Sequence, residues 1–300
     1  MIEVRNVCKI FDEIKAIDRA TTKIMEGQIF GLVGSNGAGK STFLRMLSGV
    51  LKADEGEILI DGKDVYENIE VKANICFLSD VAYFPANATG KIMRDYYAMF
   101  YKNFDSSQFD NLAEKFQLDI HRKISTFSKG MQKQLSMILG VCTNTKYLFC
   151  DETFDGLDPV MRQAVKSLFA SEVINRGFTP IIASHNLREL EDICDCIGLL
   201  HKGGILFTKD LENMKFHIHK IQCVLKDKDQ ERQLQKEMDV LKTEHQGSLL
   251  LLTVRGTREQ IMEKIQGKNP LFCEILPLTL EEIFISETEV AGYEIKNLFF

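Results

Sequence analysis

Residues 34–41 read Gly34-Ser-Asn-Gly-Ala-Gly-Lys40-Ser41, and they constrain the architecture more than any other part of the 300-residue chain. The continuous apolar run Ile29-Phe-Gly-Leu-Val33 precedes them, and a helical pattern from Ser41 to Ser48 follows. The spacing G-x4-G-K-S between a buried strand and a helix is typical of the loop that holds the phosphates of a nucleoside triphosphate. We call residues 34–41 the phosphate loop.

The phosphate loop combines backbone and side-chain chemistry. Its glycines let backbone N–H groups close around phosphate oxygens, and the helix N-terminus adds positive potential. Lys40 is expected to contact the β- and γ-phosphates, and Ser41 is expected to bind Mg²⁺ through its hydroxyl. A glycine-rich turn without a ligand is the alternative, and the complete motif in its strand–helix context disfavours it.

Two further apolar runs end in polar residues. Tyr147-Leu-Phe-Cys150 leads to Asp151 and Glu152, and Thr179-Pro-Ile-Ile-Ala183 leads through Ser to His185. We expect Asp151 at the sheet edge beside the phosphate loop, as a direct or second-shell Mg²⁺ ligand. Glu152 can polarise a water in line with the γ-phosphate, and His185 can reach that phosphate from the end of its own strand. A structural histidine is the alternative for His185.

Two loop segments complete the pattern. Phe127-Ser-Lys-Gly-Met131, the signature segment, precedes the apolar-periodic stretch Leu135–Val141, and Asp155-Gly-Leu-Asp158 follows Glu152 closely. A Ser-x-Gly at a helix start is another anion-binding end. One chain cannot easily bring two helix N-termini from opposite sides onto one nucleotide, so the pattern predicts a second subunit arranged head to tail.

The composition narrows the classes of function. The net charge of −6 disfavours a dedicated nucleic-acid binder, because such proteins usually carry a basic footprint. The eight cysteines form no C-x-x-C pair and no signal peptide is recognisable, so a reducing, cytosolic compartment is expected. No apolar run approaches the roughly 18 residues needed to cross a bilayer, so any membrane role requires a partner.

Strand and helix patterns alternate along the chain, which predicts an α/β fold with a mainly parallel core sheet. The predicted organisation is a large domain over 1–212 and a small α+β domain over 213–300. The small domain is predicted to contain three strands, at 221–225, 249–254 and 273–276. Its predicted helices lie at 229–240, 257–266 and 279–287.

The order of these segments makes residues 1–212 resemble the nucleotide-binding subunit of an ATP-binding-cassette (ABC) transporter. The resemblance implies a P-loop NTPase cassette with an antiparallel β subdomain and a helical insertion at about 85–127. It implies ATP and Mg²⁺ as cofactors, and ATP hydrolysis with Glu152, His185 and Lys40 as catalytic residues. The implied nucleotide contacts are Phe11, Gly34, Ser35, Asn36, Gly37, Ala38, Gly39, Lys40, Ser41, Thr42, Ser128, Gly130 and Asp158. Phe11 would stack on adenine, with a core position as the alternative.

The resemblance also implies partners. Two subunits would sandwich two ATP molecules, each between one phosphate loop and the Ser128 and Gly130 of the other subunit. The pair would be a homodimer or would include a sister cassette. An integral membrane permease would convert closure into transport and hold the cytoplasmic subunit at the inner face of the membrane. The aromatic cluster Tyr96–Phe104 is a candidate permease contact, with plain core packing as the alternative.

Several positions depart from the family pattern. Asp80 replaces the usual Gln and is expected to join Ser41 and Asp151 around Mg²⁺. Lys129 and Met131 replace the first Gly and the Gln of the signature segment. Thr153 and Asp155 also depart from the usual residues. None of these changes removes a catalytic residue, so the resemblance implies an active ATPase of modest turnover.

The small domain resembles an extension found on multidrug, antibiotic-resistance or lipid-type exporters, through Pro277-Leu-Thr-Leu-Glu281-Glu282-Ile-Phe284. A unit that only dimerises or stabilises is the alternative to a regulatory one. A soluble cassette ATPase that remodels a macromolecule is the alternative function, although such proteins usually carry two cassettes or a long coiled-coil insertion. A small-molecule kinase would leave the signature segment and the Glu152–His185 arrangement unexplained.

Overall fold

The computed structural model describes residues 1–154, 157–276, 278–283 and 285, apart from the side chains of Lys215 and Lys228. The chain divides into two compact units, Met1–Thr208 and a second unit that begins at Lys209. No helix in the described ranges is long and apolar enough to span a membrane. Asp155, Pro277 and Phe284, which figured in the sequence predictions, lie outside the described residues.

The strands are β1 (Ile2–Phe11), β2 (Ile14–Ile24), β3 (Phe30–Val33), β4 (Glu55–Ile60), β5 (Lys63–Asp64), β6 (Ile75–Leu78), β7 (Tyr147–Asp151), β8 (Thr179–Ser184), β9 (Cys196–His201), β10 (Gly204–Asp210), β11 (Ile218–Val224), β12 (Asp239–Gln246), β13 (Leu249–Arg255) and β14 (Phe272–Leu276). The helices are α1 (Lys40–Leu47), α2 (Ile69–Lys72), α3 (Gly90–Phe100), α4 (Ser106–Lys115), α5 (Lys129–Cys142), α6 (Pro159–Arg176), α7 (Leu187–Glu191), α8 (Leu211–His217), α9 (Lys228–Glu237) and α10 (Arg258–Gln266).

The central sheet of the first unit has the order β10-β9-β3-β8-β7-β6. β3 runs parallel to its neighbours β8 and β9, and β7 runs parallel to β8 and β6. β3, β7 and β8 are buried along their whole length, which explains their continuous apolar sequences. Because the strands are parallel, the residues that follow β3, β6, β7 and β8 meet at one edge of the sheet.

A second sheet, with the order β2-β1-β4-β5, is antiparallel. Helix α1 packs into the apolar core that contains residues of both sheets. Phe43 and Leu47 of α1 are fully buried there, together with Ile2 of β1 and Phe149 of β7. This packing fixes the start of α1, and therefore the end of the phosphate loop, relative to the central sheet.

Helices α3 and α4 form a helical insertion with an apolar core of its own, which continues into α5. Tyr97 and Phe104 pack against this core, whereas Tyr96 and Phe100 are 52% and 68% exposed. The predicted aromatic cluster therefore divides into a core half and a surface half. The predicted α/β class is confirmed, with its mainly parallel core sheet, antiparallel sheet and helical insertion.

The second unit contains an antiparallel sheet of order β12-β13-β11-β14, with Leu234 of α9 and Ile261 of α10 in its core. The predicted number of three strands and the predicted extension of a helix to residue 240 are both wrong. Helix α9 ends at Glu237, and β12 begins at Asp239. β12 is an edge strand with mostly exposed or half-buried polar side chains, so it lacks the hydrophobic alternation that marks a strand.

Candidate functional site

The phosphate loop turns tightly between β3 and α1. Gly39 has φ +105°, and a Cβ atom there would lie 2.4 Å from the carbonyl oxygen of Ala16, so a larger residue does not fit. A Cβ atom at Gly34 would lie 2.4 Å from the carbonyl oxygen of Leu200. Helix α1 begins at Lys40, and the N–H groups of its first turn have no acceptor within the helix. The loop therefore presents backbone donors and the positive end of a helix, as an anion site requires.

The buried ammonium of Lys40 folds back over the loop. Its Nζ donates hydrogen bonds to the carbonyl oxygens of Gly34 (2.8 Å) and Ser35 (3.2 Å), and it lies 3.7 Å from Oε1 of Glu152. A phosphate oxygen is a stronger partner for an ammonium than a neutral carbonyl. The lysine is thus held at the loop and can exchange these contacts for contacts with a phosphate.

Ser41 and Asp151 form the part of the site that suits a hard divalent cation. Ser41 Oγ donates to Oδ1 of the fully buried Asp151 at 3.0 Å, and Asp151 Oδ2 has no hydrogen-bond partner in the described part of the chain. Burial raises the pKa of Asp151, the bond from Ser41 lowers it, and the charge of Asp80 raises it again. A hydroxyl beside a buried carboxylate with one unused oxygen is a donor set that fits Mg²⁺.

Glu152 lies next to this cation set and contacts both other predicted catalytic residues. Its Oε1 lies 3.4 Å from Nδ1 of His185 and 3.7 Å from Nζ of Lys40. The backbone N–H of Glu152 donates to the carbonyl oxygen of Ala183 at 3.0 Å, and its φ of +47° is unusual for a residue with a side chain. The structure therefore brings Lys40, Glu152 and His185 together at the carboxyl edge of the sheet.

A groove of about 480 Å³ runs along the outer side of the phosphate loop. It is lined by Ile14, Lys15, Ala16, Asn36, Gly37, Gly39, Lys40, Ser41, Thr42, Glu152, Lys202 and Gly203. The predicted residues in this lining are Asn36, Gly37, Gly39, Lys40, Ser41, Thr42 and Glu152, whereas Gly34, Ser35 and Ala38 are not part of it. Nothing in the sequence indicated Ile14, Lys15, Ala16, Lys202 and Gly203, because contacts between distant segments leave no local signal. Phe11 does not line the groove as described; it is 44% exposed, with Lys9 Nζ 5.5 Å from its ring centroid.

The remaining predicted residues lie at helix starts and on the surface. Ser128 caps α5 by accepting from the N–H of Met131, and Asp158 caps α6 by accepting from the N–H of Met161. Neither cap residue, nor Gly130 in the first turn of α5, lines the described groove of this single chain. Exposed Asp80 is likewise outside the groove lining and is linked to the site through its effect on the pKa of Asp151.

Two supporting contacts were not predicted. Lys133 Nζ of α5 donates to the backbone carbonyl oxygen of Glu152 at 2.8 Å. Ser184 Oγ, directly before His185, donates to Oε2 of buried Glu189 at 3.1 Å. Both contacts join residues that a one-dimensional motif treats as separate, so only the folded chain reveals them.

Comparison with protein families and curated relatives gives a consistent result. A family model described as ABC transporter matches residues 17–155. The ABC transporter ATP-binding protein YtrB of Bacillus subtilis (strain 168) is 30% identical over 287 residues, which cover 96% of this chain and 98% of that protein. The bacitracin transport ATP-binding protein BcrA of Bacillus licheniformis is 29% identical, over 72% of this chain and 71% of that protein.

Solved structures share the fold at lower sequence identity. An ATP-binding subunit of an ABC transporter has a TM-score of 0.65 and 22% identity, over 72% of this chain and 92% of that one. A dimeric ATP-binding cassette in a post-hydrolysis state, bound to ADP and Pi, has a TM-score of 0.61 and 20% identity, over 70% of this chain and 99% of that one.

Proposed function

The chain belongs to the ABC transporter family of ATP-binding proteins, and we propose that it powers export through a separate membrane permease by ATP-driven, head-to-tail dimerisation. The observation that carries the proposal is the meeting of Lys40, Glu152 and His185 beside the Ser41–Asp151 pair at one edge of the sheet. Phosphoryl transfer needs mainly positioned groups and neutralised charge, and this edge supplies both.

Each residue has a role that follows from its position. The backbone donors of the phosphate loop would hold the β- and γ-phosphates of ATP, and Lys40 would neutralise their charge. Ser41 and Asp151, with Asp80 nearby, would hold Mg²⁺, which supplies charge neutralisation between the phosphates. Glu152 would orient the attacking water, and His185 would contact the γ-phosphate while its Nδ1 keeps the carboxylate of Glu152 in place.

The dimer is inferred from predicted nucleotide contacts that do not line the groove of their own chain. Ser128, Gly130 and Asp158 lie at the exposed or half-buried starts of α5 and α6 and do not line the described groove of their own chain. We assign them to the nucleotide of a second cassette, to which the N-terminus of α5 would present its positive end. The dimeric cassette among the structures of the same fold is consistent with this arrangement.

The permease contact is assigned to the exposed face of α3. Tyr96, Met99 and Phe100 lie on this helix, are all more than half exposed, and the rings of Tyr96 and Phe100 are 4.8 Å apart. Exposed apolar clusters of this kind mark protein–protein contacts. Docking there would hold the subunit at the cytoplasmic face of a membrane, and the similarity to BcrA favours export.

The alternative, a soluble cassette that remodels a macromolecule, is less well supported. The transporter ATP-binding protein YtrB matches 96% of this chain, and the match therefore includes the second unit. Sequence similarity to a transporter ATP-binding protein over both units of this chain thus favours a transporter role.

The Glu152→Gln variant tests the proposal. The amide keeps the shape of the side chain but cannot act as a base, so we expect kcat to fall about 100-fold or more while ATP still binds. ATP should then trap a dimer that size-exclusion chromatography with light scattering detects. Glu114→Gln, on the exposed surface of α4, is the matched control and should behave as wild type. A Glu152→Gln protein that stays monomeric at every ATP concentration would exclude the homodimer.

A further inference from the structure

The backbone of Glu152 has an unfavourable conformation that contacts with neighbouring residues must stabilise. Its φ of +47° is left-handed, a region that costs a residue with a Cβ atom about 1–2 kcal/mol. The preceding residue, Asp151, is fully buried at the end of β7, so the backbone has little freedom to relax at this position. Contacts to the Glu152 main chain must therefore stabilise this conformation.

Two contacts hold the main chain of Glu152 from opposite sides. On the sheet side, its N–H donates to the carbonyl oxygen of Ala183 in β8 at 3.0 Å. On the helix side, its carbonyl oxygen accepts from the Lys133 ammonium of α5 at 2.8 Å. The second bond is charge-assisted and half-buried, which makes it stronger than a neutral surface bond. The Glu152 peptide groups are thus clamped between a strand and a helix.

We propose that Lys133 is a positioning residue for ATP hydrolysis, which sets the direction of the Glu152 carboxylate by clamping its backbone. The proposal rests on the proposed function, because it assumes that Glu152 orients the attacking water. Lys133 is not itself a lining residue of the described groove, and its bond goes to the backbone carbonyl of Glu152 rather than to the Ser41–Asp151 pair. It acts through the peptide group, since a rotation there would move the carboxylate away from Nδ1 of His185 and Nζ of Lys40.

The clamp lies in the N-terminal part of α5, close to the residue that caps this helix. Lys133 follows Ser128, the cap residue of α5, after about 1.4 helical turns. If Ser128 binds the nucleotide of a second subunit, a shift of α5 on binding is transmitted through Lys133 to Glu152 of its own subunit. The clamp would then make the hydrolytic competence of one site sensitive to occupancy of the other.

Steady-state kinetics of Lys133→Met test the positioning role. The thioether keeps the chain length but cannot donate, so we expect kcat to fall about tenfold while KM for ATP changes less than about twofold. Lys133→Arg, which can still donate to a carbonyl, should recover most of the rate. Lys115→Met, on the exposed surface of α4, removes the same charge and should leave kcat unchanged.

A double-variant cycle distinguishes positioning from general damage. In the Glu152→Gln background, Lys133→Met should cause no further loss of the residual rate, because its effect passes through the Glu152 carboxylate. An equal loss in both backgrounds, or a wild-type kcat in Lys133→Met, would overturn the proposal. Lys133→Leu, which also lacks a donor, is the second variant if Lys133→Met does not unfold cooperatively. A wild-type protein that hydrolyses no ATP, or whose rate Glu152→Gln leaves unchanged, would instead overturn the proposed function.

Discussion

Asp151 is placed where burial opposes its charge. Burial of the carboxyl raises the pKa of Asp151 above its ordinary value of 3.8, and the charge of Asp80 raises it further. The hydrogen bond from Ser41 to one carboxylate oxygen lowers the pKa but does not offset these two effects. A bound divalent cation would reverse this balance by favouring the ionised form. Without a cation, the buried charge of Asp151 therefore lowers the stability of the fold. A bound divalent cation would compensate that charge.

This placement predicts a pH-dependent stability difference between the wild type and Asp151→Asn. Because the pKa is raised by folding, the folded protein retains a proton that the unfolded chain loses as the pH rises above 3.8. The contribution of Asp151 is therefore most favourable at low pH and is lost as the pH rises through its folded pKa. The neutral amide avoids this loss.

We expect Asp151→Asn to gain stability relative to the wild type between about pH 4 and pH 7, by a difference on the order of 1 kcal/mol. Urea unfolding of the two nucleotide-free proteins over this range, without divalent cations, measures the difference. A difference that stays flat with pH would contradict the assignment. The same variant should lose Mg²⁺-dependent ATP hydrolysis.

Individual residues were predictable from sequence where the chemistry is local. Lys40 and Ser41 follow from a contiguous motif, and Asp151 and Glu152 follow from the end of a strand. The role of Lys133 did not, because nothing in its own helical segment indicates a bond to a carbonyl directly after β7. Phe11 depends on a ligand for its assigned stacking role and remains a prediction.

Among the elements, the helical spacing of α3 could be predicted, but the environment of its aromatic residues could not. Its aromatic residues have helical spacing, but the sequence alone left core packing and partner contact open. The fold separates them, because Tyr97 faces the apolar core shared with α4 and α5 while Met99 is 82% exposed. Strand β12 was not predicted, because a polar edge strand shows no alternation of apolar and polar residues in the sequence.

The exposed face of α3 predicts a partner-specific defect in Met99→Glu. A charge at this position should not disturb the core, because the side chain is exposed, but it should oppose docking of an apolar partner surface. We expect basal ATPase activity to stay within about twofold of the wild type, the range of a neutral surface change. Recovery of the membrane partner with the tagged subunit from mild detergent should fall by about tenfold, the equivalent of 1.4 kcal/mol.

The matched control is Ile174→Glu, at an exposed apolar position on α6. It should co-purify with the partner as the wild type does. Equal recovery of a membrane protein with Met99→Glu and the wild type would exclude this face as the docking surface. Recovery of ribosomal proteins from the soluble fraction, with no membrane protein, would favour the macromolecule-remodelling alternative.

Each of the two units has apolar core residues of its own, and the organisation of the two units was predictable to different degrees. The first unit contains every residue proposed above to act in catalysis or to bind the cation, and its central core contains α1 and residues of two sheets. Its organisation could be predicted because strand, loop and helix alternate with strong signals. The second unit has a separate core around Ile221 and Leu252, and its short, partly polar strands gave weaker signals.

Separate cores predict that the first unit folds and binds ATP without the second. A chain that ends at Asp210 keeps β10 complete, so the central sheet retains all six strands. We expect it to unfold cooperatively and to bind ATP with a Kd within about threefold of the full chain, because the groove lining lies between residues 14 and 203. Calorimetry and equilibrium binding with a fluorescent ATP analogue measure both properties, with Lys40→Ala in the same truncated chain as the negative control.

A truncated chain that unfolds cooperatively but no longer binds ATP would assign a nucleotide-binding role to the second unit. Unchanged binding with a loss of ATP-dependent dimerisation in the Glu152→Gln background would instead assign it to the dimer.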